Sequence, residues 1–144
     1  MSMTAVKSYR VHGLRLSYRP ADGTFIVGGQ TGQVYRTAGG APLYVFSWVL
    51  DDGSQPTVVV DQDAIDNAGS GGAGSPWSHL NYYPADGTWL TGSQTGHTFR
   101  VGDGYAYRLA MPPGERSVVI DQAAIDNAGT GGTNGSWNHL RGVR

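Results

Sequence analysis

Two tryptophan–histidine pairs are the most ligand-like residues in this chain. Trp77 precedes His79 by two positions, and Trp137 precedes His139 in the same way. On a strand, residues i and i+2 share a face. A Trp ring there offers a flat apolar surface to the C–H face of a sugar, and a His ring can hydrogen-bond a hydroxyl. The competing reading is structural. Large aromatics dominate burial in small β domains, and the His would then satisfy a backbone group. Asp22 and Asp86 each lie in Pro-Ala-Asp-Gly-Thr, a turn in which Asp commonly bonds its own backbone. Otherwise their carboxylates would accept sugar hydroxyls beside Gln30 and Gln94, expected across the hairpin loop.

Other chemistries find less support. Asp61, Asp63 and Asp66 have carboxylate spacing, but calcium needs six or more oxygens, and the Asp-x-Asp-x-Asp-Gly order with a distal Glu is missing. Ala123 stands where the second copy would repeat Asp63. His79 and His139 would need two further ligands to hold zinc, and His12 and His97 occupy unrelated positions. No Gly-x-Ser-x-Gly elbow, phosphate loop or dinucleotide fingerprint occurs. A glycosidase needs two carboxylates across one cleft. The only glutamate is Glu115, in a loop with no counterpart in the first copy. Neither catalysis, nor a metal, nor a cofactor is expected. Asn134-Gly135-Ser136 matches a glycosylation sequon, a pattern that a Gly-rich loop explains equally well.

These residues recur because the chain repeats itself. Tyr18-Arg-Pro-Ala-Asp-Gly-Thr-Phe25 returns as Tyr82-Tyr-Pro-Ala-Asp-Gly-Thr-Trp89, a register of 64 residues. The run from Val58 to Gly69 returns from Val118 to Gly129, a register of 60. Copy two therefore lost four residues between Arg100 and Val118, where a loop absorbs them. Short strand-like runs alternate with turn signals. Strands are expected over 24–28, 33–37, 41–48 and 57–60, then over 88–92, 97–101, 105–110 and 117–120. Asp61 and Asp121 suit helix N-caps, and Gly69 and Gly129 suit positions just past the helix end. Gly-rich loops over 70–75 and 130–136 lead into final strands over 77–82 and 137–141.

Composition narrows the class. Of 144 residues, 23 are Gly and only 15% are charged, while 39% are hydrophobic. Disorder needs low hydrophobicity and high net charge, so a folded, turn-rich chain is expected. Ten basic against eleven acidic residues give a net charge of −1 and a pI near 6.4. Nucleic-acid binders usually carry a clear basic excess, so no nucleic-acid partner is expected. No apolar run is long enough to span a membrane. The opening residues Met1 to Lys7 hold no long apolar segment, so no cleavable signal peptide is expected in this chain. Cysteine is absent, which removes disulfides, thiol nucleophiles and Cys-metal sites.

The phrases Val34-Tyr-Arg-Thr-Ala-Gly-Gly-Ala-Pro-Leu-Tyr-Val45, Asp-Gln-x-Ala-Ile-Asp, Trp-x-His-Leu and Pro-Ala-Asp-Gly-Thr carry a family signal. They resemble a tandem repeat of actinobacterial secreted and cell-surface proteins, over residues 14–141. That repeat often accompanies hydrolase domains or forms arrays. The resemblance implies an accessory or adhesive module outside the cell, and it supplies no catalytic residue. Copy two departs from it at Gly102-Asp-Gly-Tyr-Ala-Tyr-Arg108.

The expectation is an all-β domain spanning 1–144. Repeat one covers 18–80, repeat two covers 82–140, and an N-terminal strand over 1–17 completes the fold. The repeats, related by a pseudo-twofold, would each hold short antiparallel strands and one short helix, as a barrel or as propeller-like blades. The expected function is a lectin-like, carbohydrate-binding module with one shallow site per repeat. Its expected residues are Trp77, His79, Trp137, His139, Asp22, Asp86, Gln30 and Gln94, and its partner a glycan. The alternative is a structural or protein-interaction repeat that spaces or assembles cell-surface proteins, with homo-oligomers expected if strand edges stay open.

Overall fold

The computed structural model describes residues 18–46, 58–70, 75, 77–132 and 135–144. The expected strand over 1–17 lies outside these residues, as do Trp48 and Asn134.

Alternation of apolar and polar side chains builds two sheets. In the first, β1 (Phe25–Gly28) pairs antiparallel with β2 (Val34–Ala38), and β2 with β3 (Ala41–Val45). β4 (Val58–Val60) lies parallel to β1, so the order is β3-β2-β1-β4. α1 (Gln62–Asp66) follows β4 directly. In the second sheet, β5 (Trp89–Gly92) pairs antiparallel with β6 (Thr98–Gly102), and β6 with β7 (Tyr105–Arg108). β8 (Ser117–Ile120) runs parallel to β5 and leads into α2 (Gln122–Asp126). β9 (Gly142–Val143) adds in parallel to β7, giving β8-β5-β6-β7-β9. Registers correspond: Ile26 faces Tyr35 and sits beside Val58, while Leu90 faces Phe99 and sits beside Val118.

The protein is all-β, with two single-turn helices among the described residues. Three expectations need correction. The sheets are not antiparallel throughout, because β4 and β8 return alongside β1 and β5 in the same direction. Neither sheet closes into a barrel among the described residues: the first ends at β3 and β4, the second at β8 and β9. The final strands expected over 77–82 and 137–141 are turns. Ser78 N–H bonds Ser75 O and Asn138 N–H bonds Gly135 O, closing the start of each segment locally, while single bonds from Asn81 and Arg141 N–H reach Gly40 O and Gly104 O without forming a ladder. The chain becomes a strand only afterwards, at β9.

Turn chemistry sets the hairpins. Two residues join β2 to β3 and two join β6 to β7. Gly39 and Gly40 have φ of 56° and 82°, and Asp103 and Gly104 have 49° and 79°. Positive φ at both central positions makes the turn that matches strand twist, and Gly, Asn and Asp tolerate it best.

Two buried clusters hold the sheets. One gathers Ile26, Tyr35, Val60, Ala64, Ile65, Ala68 and Leu80, with Trp77 and Tyr82 against it. The other gathers Leu90, Phe99, Val101, Ala106, Ile120, Ala124, Ile125 and Leu140. Ala38 and Leu43 of the first sheet belong to this second cluster. Polar contacts also cross between the halves. Arg36 Nη1 donates to Val119 O at 2.7 Å, and Ser136 Oγ donates to Gln33 Oε1 at 2.9 Å.

Candidate functional site

Gln30 and Gln94 brace helix starts. Gln30 Oε1 accepts from Gln62 N–H at 2.8 Å, and its Nε2 donates to Asp61 Oδ1 at 3.3 Å. Thr31 Oγ1 donates to Gln62 Oε1 at 2.7 Å. The second copy repeats each bond at the same length with Gln94, Gln122, Asp121 and Thr95. Asp61 and Asp121 cap α1 and α2 through the N–H groups of Asp63 and Ala123. Asp66 is the partner of Gln62 Nε2 at 3.0 Å, and burial raises its carboxyl above the ordinary carboxylate range.

Asp22 and Asp86 serve the opposite end of the hairpin. Asp22 Oδ1 accepts from Gly40 N–H at 3.3 Å, and Asp86 Oδ1 from Asp103 N–H at 2.8 Å. Each therefore reaches the neighbouring two-residue turn rather than its own backbone. β1 separates Asp22 from Gln30, and β5 separates Asp86 from Gln94. The expected carboxylate–amide pairs do not come together.

The Trp-x-His-Leu segments split as well. Because they are turns, the shared-face argument for Trp and His does not apply. Trp77 is half-buried against the first cluster, and its Nε1 is buried with no hydrogen-bond partner among the described residues. Trp137 is half-buried, edge-on to Tyr44 at 4.9 Å and to Phe46 at 5.7 Å. His79 is half-buried. His139 is only 3% exposed. Its Nδ1–H donates to Tyr82 O at 2.8 Å, and its ring lies 4.6 Å from the Tyr82 ring. Burial pushes its pKa down to about 4, so the ring is neutral at pH 7.

What His139 positions is a cleft. Tyr82, Tyr83, Tyr105, Asn138 and Arg141 line an open depression of about 430 Å³, floored by Leu140 and glycines 129 and 132. The local structure explains why they meet. Tyr82 and Tyr83 precede the Pro-Ala-Asp-Gly-Thr turn, and Tyr105 begins β7 directly after the Asp103-Gly104 turn. Arg141 N–H bonds Gly104 O at 2.7 Å, tying the Trp-x-His-Leu segment to that turn. Its stem lies across Gly104, where a Cβ would crowd it. The Arg141 guanidinium sits 4.8 Å from the Tyr83 ring centre and 6.0 Å from that of Tyr105. Arg144 lies over the Tyr105 ring at 4.0 Å. Asn138 hydrogen-bonds both Gly132 O and the Tyr82 hydroxyl. Burial raises the Tyr82 phenol above its ordinary value.

Comparison with protein-family models, curated proteins and solved structures finds no match.

Sequence reasoning missed Tyr82, Tyr83, Tyr105 and Arg141. One signal was available for Tyr83, Tyr105 and Arg141, since these are places where the copies differ, whereas Tyr82 repeats Tyr18. By the repeat registers, copy one has Arg19, Ala41 and Asn81 where copy two has Tyr83, Tyr105 and Arg141. In copy one that pair is a plain polar contact, Arg19 Nη2 to Asn81 Oδ1 at 3.2 Å. Among the described residues, no three of His, Cys, Asp and Glu gather as a metal site. No helix there is long and apolar enough to cross a membrane.

Proposed function

We propose that this protein is a non-catalytic, lectin-like carbohydrate-binding module, built from two copies of one unit related by a pseudo-twofold. The observation that carries the reading is the open cleft of Tyr82, Tyr83, Tyr105, Asn138 and Arg141. Three phenols, an amide and a guanidinium suit a polyhydroxylated ligand: rings cover C–H faces, and the polar groups meet hydroxyls. Since copy one has Arg19, Ala41 and Asn81 at three of these positions, the reading places one site in the second half rather than one per repeat. The motif resemblance supports a setting outside the cell or on its surface.

A glycan array tests this, with Tyr83→Ala, Tyr105→Ala and the Trp77→Ala/Trp137→Ala double variant run alongside. The expected result is a bound glycan that either tyrosine variant loses, at unchanged melting temperature. An array on which nothing binds overturns the reading.

A second reading, a protein-interaction repeat, rests on a different face. Tyr107 and Leu109 are 40% and 49% exposed and border a mostly apolar groove of about 270 Å³ with Val101, Gly102 and Arg100. Light scattering during gel filtration tests it. Concentration-dependent dimers that Leu109→Asp abolishes would favour it, and a monomer at all concentrations would remove self-assembly.

A further inference from the structure

We infer that the tyrosine cleft takes an acidic saccharide, one whose ring carries a carboxylate. This deepens the carbohydrate reading and rests on it.

The argument starts from the guanidinium groups. Arg141 is exposed, yet its place is set by three independent features: the backbone bond to Gly104, the stem lying over Gly104, and the ring of Tyr83 beneath the head group. Arg144 is likewise set over Tyr105. An arginine stacked on a ring keeps its N–H groups in the guanidinium plane, pointing outward at the edge. That edge matches the two oxygens of a carboxylate. Stacking also lowers the entropy lost when a ligand is bound, because the side chain is already ordered.

Among the described residues, no carboxylate is paired with the Arg141 guanidinium in the lining. None of the lining residues is a carboxylate. Both cations neighbour the Tyr105 ring, Arg141 at 6.0 Å and Arg144 at 4.0 Å from its centre. A neutral sugar can hydrogen-bond a guanidinium but brings no counter-charge to it. A uronic acid would place its carboxylate at this edge and its hydroxyls toward Asn138 and the phenols. The protein as a whole is slightly acidic, at net −1, so the attraction is local rather than a general affinity for polyanions. The first half has no such arrangement, because Arg19 there is hydrogen-bonded to Asn81 and Ala41 replaces the ring of Tyr105.

The test compares ligands that differ only in the carboxylate. Oligogalacturonate, oligoglucuronate and oligomannuronate are titrated calorimetrically against the intact protein, each beside its carboxyl-reduced neutral form. Inorganic phosphate serves as a simple anion. At least one acid form is expected to bind roughly tenfold or more tightly than its reduced form. The preference should shrink at high salt. Arg141→Gln should abolish the preference, bringing each acid form and its reduced form to equal affinity, and Arg144→Gln should weaken it. Equal affinity for acid and reduced forms overturns the inference while the carbohydrate reading stands. Phosphate binding as tightly as any saccharide overturns it too, in favour of a plain anion site. If no member of the three pairs binds, the inference falls, and the glycan array decides the carbohydrate reading separately. The acid-against-reduced comparison uses the unmodified protein, so it holds even if a variant misfolds.

Discussion

Asp121 Oδ2 accepts a 2.6 Å hydrogen bond from the backbone N–H of Phe46, which lies just past the end of β3 in the other sheet. The same carboxylate caps α2 through Ala123 N–H at 3.0 Å and accepts from Gln94 at 3.3 Å. One side chain thus starts a helix and joins the two halves. Its copy-one counterpart, Asp61, caps α1 and accepts from Gln30.

The two aspartates should therefore differ when removed. Losing an N-cap costs about 1 kcal/mol. Losing a further buried bond to a charged group adds roughly 1.5–3 kcal/mol and strands its donor. Asp121→Ala is expected to cost about 3 kcal/mol or more, and Asp61→Ala about 1–2 kcal/mol. Urea denaturation of both variants measures this. Equal losses would show that the bond to Phe46 contributes little.

His139 makes stability depend on acidity. Its folded pKa of about 4 lies below the unfolded value of 6.5. The unfolded chain therefore binds the proton more readily. The neutral ring's contribution is complete above pH 6.5 and is lost as pH falls from there to about 4. At 1.36 kcal/mol per pH unit the loss is of order 3 kcal/mol. Asp66 works in the opposite sense, because its folded carboxyl is raised and binds the proton more readily than the unfolded one. Denaturation of wild type and His139→Phe at pH 7, 5.5 and 4.5 separates the two. The variant should show a flatter fall, and an identical fall would exclude His139 as the cause.

Gly129 and Gly69 share a φ of 78° but not a neighbourhood. A Cβ on Gly129 would collide with the Arg141 carbonyl oxygen, which is backbone and cannot swing away. At Gly69 the nearest atom is Tyr82 N at 3.3 Å, a tight but adjustable approach. Gly69→Ala should cost about 1 kcal/mol for the left-handed backbone alone. Gly129→Ala should cost about 3 kcal/mol, in the range of severe local strain, and should also shift Arg141 out of the cleft. Thermal melts read the first effect, and loss of ligand binding reads the second.

Trp77 and Trp137 should respond differently to loss of the indole. Trp77 carries a buried N–H without a partner among the described residues, so removing that group relieves a desolvation cost. Trp77→Phe is expected to change stability by less than about 1 kcal/mol in either direction. Trp137 packs edge-on to Tyr44 and Phe46, where the full ring area matters. Trp137→Ala should cost about 3 kcal/mol. If it melts like wild type, the ring is not part of the packing between the halves.

Much of the local structure was legible in the residues. Alternating apolar runs marked β1, β2 and their counterparts, because a strand buries every second side chain. Asp61 and Asp121 announced helix starts, since a short carboxylate is the group that satisfies free N–H donors there. Gly39-Gly40 and Asp103-Gly104 announced turns, because few other residues accept positive φ. What the sequence could not convey is which distant segments meet. The parallel return of β4 beside β1 depends on a connection whose path no local preference encodes. The turns at Trp77 and Trp137 read as strands because their apolar residues look alike in either conformation. The insertion of Ala38 and Leu43 into the second half's core is a matter of packing alone. The same holds for the cleft. Tyr83, Tyr105 and Arg141 are far apart along the chain and ordinary one by one, and the bond from Arg141 to Gly104 together with the β7–β9 pairing brings Arg141 to Tyr105.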